Sequence, residues 1–286
     1  MNLFRKLGGK PPTTPMPAGA VDTQCHTYFP GYPSAVDGPG DPLGALPTPD
    51  QYRQVMKWLG LDRVVITQSN AHQFDNGSLL ACLAEFGDIA RGVAVVNGNT
   101  SDAEMTRLSD AGCVGARIMD LPGGAVGLNQ LDAVDDRSKA FGWCMAVQFD
   151  GSHLADLEAA LTAIKSNWIL DHHGKIFCGA TPASPQIDVI KRLLDGGNCW
   201  FKFSGCYESS MSGPPEYEDI AMVAKNLAAH APERILWGTN WPHNAARTTS
   251  EYPDDSELLD TTLSWFPSAN ARRQALVNNP EELFQF

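Results

Sequence analysis

Short runs of β-branched and aromatic residues alternate along the chain with segments whose apolar positions recur at helical spacing. The runs at 20–27, 63–68, 91–96, 114–119, 143–149, 168–172, 199–204 and 234–239 predict eight strands. Segments at 49–59, 77–86, 101–110, 129–140, 153–165, 185–194, 217–230 and 256–265 predict eight helices. Some open with helix-start chemistry, as at Thr48-Pro49-Asp50, where a hydroxyl can cap the first turn and an acid sits inside it. Strands separated by one helix each pair in parallel, so eight such units predict a single α/β domain over 18–286, closed as a (β/α)8 TIM barrel. An open doubly wound sheet is the alternative. Residues 1–17, broken by Pro11, Pro12, Pro15 and Pro17, read as an extended N-terminal tail. No apolar run has the length of a signal peptide or a membrane span.

Composition sharpens this picture. The chain has 286 residues, 43% of them hydrophobic, with seven Trp and twelve Phe, ample for one large core. Its 21 basic and 33 acidic residues give a net charge of −12, which argues against nucleic acid or an anionic membrane surface as partner. Seven cysteines, never spaced as Cys-x-x-Cys and mostly inside apolar runs, read as buried thiols in the cytoplasm. Neither GxxxxGK[ST] nor a strand-linked GxGxxG occurs, so no nucleotide cofactor is expected.

A TIM barrel carries its site at the C-terminal ends of the strands. Polar residues expected there are Asp22, Gln24 and His26 after the first strand, and Gln68, Asn70, His72 and Asp75 after the second. Arg117 and Asp120 belong to the fourth, Gln148 and Asp150 to the fifth, and Asp171, His172 and His173 to the sixth. Lys202, Ser204 and Glu208 follow on the seventh, and Thr239, Asn240 and His243 on the eighth. Histidine suits proton transfer near neutral pH, so its crowding in these segments points to acid–base chemistry. Alternation along the first strand predicts that Asp22 faces the barrel interior together with Gln24.

Three stretches carry a family resemblance: Val21-Asp22-Thr23-Gln24-Cys25-His26, Leu170-Asp171-His172-His173-Gly174 and Trp237-Gly238-Thr239-Asn240-Trp241-Pro242-His243. In that order they resemble the amidohydrolase superfamily, in the branch of the 2-pyrone-4,6-dicarboxylate lactonases, from about residue 18 to the C-terminus. The departures are specific. The superfamily's first-strand motif is His-x-His, and here its first position is Gln24, a poor ligand for zinc. The eighth-strand aspartate that serves hydrolysis is replaced by Asn240, which cannot take a proton from water. At these positions, and along Gly115-Ala116-Arg117-Ile118-Met119-Asp120-Leu121-Pro122-Gly123-Gly124, the chain is similar to the D-galactarolactone isomerases.

That resemblance implies metal-independent, cofactor-free isomerisation of D-galactaro-1,5-lactone to the 1,4-lactone by intramolecular acyl transfer; the alternative is a lactonase acting on a sugar-acid or pyrone-dicarboxylate lactone. The partner is then a small sugar-acid lactone. Proton transfer is assigned to His26 and His172, with His72 next, and Asn240 joins them as a candidate catalytic group. Candidate substrate-binding residues are Gln24, Asn70, Arg117, Asp120, Gln148, Asp150, Lys202, His173 and His243. Arg117 is the expected carboxylate clamp, with Lys202 and Arg247 in support. Tyr28, Tyr32, Trp241 and Tyr207 are expected as pocket walls, and Gly123-Gly124 as a closing loop or a turn.

Overall fold

The computed structural model describes residues 3–286, in which eight strands form one all-parallel sheet in sequential order. They are β1 (Val21–Cys25), β2 (Arg63–Thr67), β3 (Ala90–Ala94), β4 (Cys113–Asp120), β5 (Cys144–Phe149), β6 (Trp168–Leu170), β7 (Cys199–Phe203) and β8 (Ile235–Trp237). Helices α1 (Pro49–Leu59), α2 (Gly77–Phe86), α3 (Asp102–Asp110), α4 (Leu131–Phe141), α5 (Leu154–Thr162), α6 (Pro185–Asp195), α7 (Glu218–His230) and α8 (Asp255–Leu263) alternate with them. Each expected element is present, several one to three residues shorter. Strand β3 stops at Ala94 because the Asn76 side chain takes both the N–H and the C=O of Val95. Strand β6 stops because Asp171 turns its carboxylate onto the His172 amide. Beyond α8, the C-terminal segment adds α9 (Ala269–Arg273), a π-helical turn (Gln274–Asn278) and α10 (Asn279–Phe284), none of which was expected. No described helix is long and apolar enough to cross a membrane.

Strand β8 closes onto β1 beyond their short ladders. Thr23 Oγ1 donates to Trp237 O at 2.8 Å, and the backbone amides of His26 and Asn240 donate to Trp241 O and Gln24 O, both at 2.8 Å. The approach is close enough that a Cβ on Gly238 would lie 2.5 Å from Gln24 Cβ, so only glycine fits. At the opposite end Leu283 and Phe284 of α10 pack with Val21, Val65, Val93, Ile169, Trp200 and Leu236, stoppering the barrel interior with apolar side chains. The site is thereby confined to the C-terminal end.

The arm before β1 has no regular structure but is tied down. Lys6 pairs with Asp254 at 2.8 Å, Thr13 donates through N and Oγ1 to Asp260, and Trp58 Nε1 bonds Lys10 O. Residues 1 and 2 of the expected tail lie outside the described residues. Six of the seven cysteines are buried; Cys178 is exposed.

Candidate active site

A cavity of about 500 Å³ opens at the C-terminal strand ends. His26, Asn70, Arg117, Gln148, His172 and Asn240 line it, joined by Tyr28, Lys175, Glu208 and Arg247 from the loops, with residues 39–43 and Leu121-Pro122 at the rim.

At β1 the ladder with β2 shifts register between Asp22 and Cys25. This bulge places Asp22 and Gln24 on opposite faces, contrary to simple alternation. Asp22 turns outward and accepts from Tyr52 of α1, from the Thr239 hydroxyl and amide, and from the Gln24 amide. Burial pushes its carboxyl up to about 6, although those donors pull the other way. Gln24 turns inward but lies beneath the cavity. Its Oε1 accepts from Lys202 Nζ at 2.9 Å and Thr67 Oγ1 at 3.2 Å, so its amide nitrogen faces His26 Nε2 at 3.5 Å. His26 Nδ1 lies 2.8 Å from the carbonyl oxygen of Thr67, which can only accept, so the proton is on Nδ1 and Nε2 is bare. Burial and then the charge of Arg117 lower this imidazole to about 3.

Lys202, fully buried, also lies 3.3 Å from Asp171. Burial alone would raise the Asp171 carboxyl, but Lys202 and His172 outweigh it and hold the group well below the usual carboxylate range. After Asp171 the backbone enters a rare conformation: His172, His173, Gly174 and Lys175 all have positive φ, between 47° and 69°. Three non-glycine residues held there cost on the order of 1–3 kcal/mol each, strain of the kind stored at functional sites. Gly151 permits the turn, since a Cβ at that position would collide with Gly174 O. In this tight turn residues i and i+3 eclipse, so His172 and Lys175 both reach the cavity. His173 points away, stacked on Phe203 at 5.1 Å and edge-on to Phe201 and Trp265. Burial lowers its imidazole to about 3, which suits a neutral ring in an aromatic box.

His172 Nε2 lies 3.0 Å from Asn240 Oδ1, and its Nδ1 lies 3.1 Å from Asp171 Oδ1, near enough for charge pairing. The Asn240 amide has a fixed orientation, because its Nδ2 donates to Glu208 Oε1 and Tyr207 Oη, both at 2.9 Å. Its carbonyl therefore faces His172, and His172 Nε2 carries a proton. Lys175 and Glu208 form an ion pair beside them. Burial works to raise Glu208, but Lys175 first and then His172 bring it below its ordinary value. Tyr28 Oη accepts from Ser69 Oγ at 2.6 Å and Asn244 Nδ2 at 3.1 Å, leaving its own proton for a ligand.

Arg117, 5% exposed, has no carboxylate partner among the described residues. Its Nη1 donates to Gln68 O at 2.8 Å and Asn70 Oδ1 at 2.9 Å, and its Nη2 to Gln148 Oε1 at 3.3 Å. Nε has no partner. Neither Asp120 nor Asp150 meets it: Asp120 Oδ1 accepts from the Leu128 amide and Asp150 Oδ1 from the Ser152 amide, each fastening its own loop away from the cavity lining. His72 Nε2 lies 3.3 Å from Tyr32 O, with its ring against Tyr28. His243 is buried between Asp255 and Tyr207. Of the expected aromatic walls only Tyr28 lines the cavity; Trp241 packs on Tyr52 and Tyr32 is half-exposed. Gly124 N bonds Leu121 O, so Gly123-Gly124 forms a turn. Lys175, at the cavity wall, was not anticipated; only the glycine before it hinted at the turn that brings it there.

The donor set does not suit a divalent metal. Gln24 Oε1 is occupied by the Lys202 ammonium, whose charge would repel a cation beside it. Among the described residues no three of His, Cys, Asp or Glu converge.

Fold and cavity together define a barrel enzyme with acid–base groups at its C-terminal face. An amidohydrolase family model matches residues 14–286, and the chain belongs to that family. It is 55% identical to D-galactarolactone isomerase of Agrobacterium fabrum, over 99% of this chain and 97% of that protein. It is 30% identical to 2-pyrone-4,6-dicarboxylate hydrolase of Comamonas testosteroni, over 96% and 92%. An apo crystal structure from Agrobacterium tumefaciens superposes with a TM-score of 0.96 at 55% identity, over 99% of both chains. An amidohydrolase from Burkholderia multivorans with bound zinc, at 18% identity and a TM-score of 0.73, over 94% of this chain and all of that one, shares the fold.

Proposed function

We propose that the chain isomerises D-galactaro-1,5-lactone to D-galactaro-1,4-lactone without a metal, by acyl transfer within the substrate. The observation that carries this reading is that two histidines of one cavity have opposite partners: His26 Nδ1 meets the Thr67 carbonyl, which leaves Nε2 bare, and His172 Nε2 meets the Asn240 carbonyl, which keeps that nitrogen protonated. The 55% identity to an isomerase supports the substrate.

His26 Nε2 takes the proton of the 4-hydroxyl as its oxygen bonds to the lactone carbonyl carbon. Tyr28 and Lys175 donate to the resulting oxyanion. As the bond from that carbon to the ring oxygen breaks, the departing 5-oxygen replaces Asn240 Oδ1 as acceptor of the His172 Nε2 proton and takes it. One proton enters at His26 and one leaves at His172, and exchange with solvent resets the pair after release. Arg117, aimed by Asn70 and Gln148, holds the free carboxylate. Asn240 acts through His172 rather than as an oxyanion donor, because both of its N–H groups are engaged. Gln24, Lys202 and Asp171 support from below, His173, Asp120 and Asp150 shape the loops, and His72 backs Tyr28.

The test is an NMR time course of the 1,5-lactone with chelator-treated protein. The 1,4-lactone should accumulate at the rate of untreated enzyme. Open galactarate as the first product would favour the hydrolase reading that the 30% relative suggests, and loss of turnover on chelation would overturn metal independence.

A further inference from the structure

Behind the cavity Asp255, His243 and Tyr207 form a buried polar chain that acid–base catalysis by His26 and His172 does not use. Asp255 opens α8 and is 2% exposed; its Oδ1 lies 2.9 Å from His243 Nε2. His243, 1% exposed, has its Nδ1 2.7 Å from Tyr207 Oη. Tyr207 Oη is 2.9 Å from Asn240 Nδ2, and Asn240 Oδ1 is 3.0 Å from His172 Nε2. The direction of every bond follows from the first. A carboxylate can only accept, so His243 carries its proton on Nε2 and its Nδ1 is bare. The Tyr207 hydroxyl must then donate to that nitrogen. Burial, and then the Glu208 charge, push the phenol well up, so the proton stays on it. With its proton committed, Tyr207 can offer Asn240 only an acceptor. The amide nitrogen turns to Tyr207 and Glu208, and the carbonyl turns to His172.

We infer that Asp255, His243 and Tyr207 form a positioning relay that fixes the orientation of Asn240 and thereby keeps the proton of His172 on Nε2. The inference rests on the proposed isomerase chemistry and adds three residues to it, none of which touches substrate. His243 is held by more than the relay: its ring is edge-on to Tyr207 at 5.5 Å and to Tyr252 at 4.8 Å, and its φ is +57°. Breaking the relay at Asp255 would let His243 adopt the other tautomer. That reversal would drive the Tyr207 proton toward Asn240, ask the amide to rotate, and set an N–H against the N–H of His172.

The experiment is a double-mutant cycle of Tyr207→Phe and Asp255→Asn, both near-isosteric, read as kcat and KM for the 1,5-lactone, with folding checked by circular dichroism. Each single variant should lose on the order of tenfold in kcat with KM within about twofold, because the loss is in proton delivery rather than binding. The double variant should be no slower than the slower single, because both act through one group. If Asp255→Asn does not fold, His243→Gln takes its arm. Losses that add, losses confined to KM, or unchanged kcat in both singles would overturn the relay. An Asn240→Ala control separates the two levels: if it is inactive while Tyr207→Phe and Asp255→Asn are fully active, the relay alone is wrong. If Asn240→Ala itself turns over normally, the catalytic assignment of Asn240 falls and the relay with it.

Discussion

Replacing Arg117 by Met tests the proposed binding mode most directly. The guanidinium is 5% exposed and finds no carboxylate of its own, so its charge is available to the ligand. Hydrogen bonds to charged groups contribute about 1.5–3 kcal/mol each. A two-pronged contact with the substrate carboxylate is therefore worth roughly 3–6 kcal/mol, and at 1.4 kcal/mol per decade its loss lowers kcat/KM about 10²- to 10⁴-fold. Most of the loss should appear in KM, because the carboxylate does not react and is bound equally in ground and transition states. Arg117→Lys restores the charge but cannot at once reach Gln68 O, Asn70 Oδ1 and Gln148 Oε1, and should recover only about one decade. The pH profile supplies an independent reading. Arg117 helps to hold His26 at about 3, so in the Met variant the acid limb of kcat/KM should move to higher pH. Initial rates by NMR over a range of substrate concentration and pH measure both effects. A Met variant with kcat/KM within threefold of wild type and an unmoved acid limb refutes the clamp.

Lys202→Met should leave the buried Asp171 carboxylate without its ammonium, with only His172 beside it, at a cost of about 3–5 kcal/mol, a fall in Tm of roughly 10 °C by calorimetry; a fall under about 2 °C would contradict it. Asn240→Asp sets a carboxylate against Glu208, so the pair must share a proton until pH rises; ring-opened acid should then appear and grow with pH in the NMR product ratio, and an unchanged ratio at every pH counts against the positional argument. Acid stability follows from His26 and His173, whose folded values near 3 lie below the ordinary 6.5. The unfolded chain takes up these protons first, so stability is complete above about 6.5 and is lost as pH falls toward 3. Asp22, raised to about 6, acts in the opposite sense and offsets part of this. His173→Phe keeps the stacked ring and removes one titrating group, so denaturant midpoints should fall less steeply with acid than in the wild type; equal slopes would refute the assignment.

The barrel was legible because its strands are short apolar runs and its helices carry their own caps, signals that act within a few residues. The C-terminal helices α9 and α10 were not, since neither spans two full turns and their stability comes from plugging the barrel. Position along a strand led to His26, Arg117, Gln148 and Asn240, all of which line the cavity. It failed where the backbone leaves the regular pleat. The bulge in β1 separates Asp22 from Gln24, and four left-handed residues separate His172 from its neighbour His173. Two adjacent histidines carry no local mark of which one turns inward. Lys175 and Glu208 are 33 residues apart, and only the closed barrel brings them together.

The net charge of −12 sets the barrel's mean field against an anionic substrate, and the internal pairing of charges answers it. Lys202 is matched by Asp171 and Lys175 by Glu208, so each adds little net field. Among the described residues Arg117 is the buried cation left over, while Arg247 at the mouth is exposed and screened by salt. Burial first and then that same charge keep His26 weakly basic. A substrate carboxylate on Arg117 cancels it, which raises the basicity of His26 at the moment a hydroxyl arrives to be deprotonated. Under the proposed chemistry the clamp and the base are therefore one electrostatic unit: a lactone without the carboxylate would lose both its anchor and part of the base strength, and its kcat should fall along with its affinity.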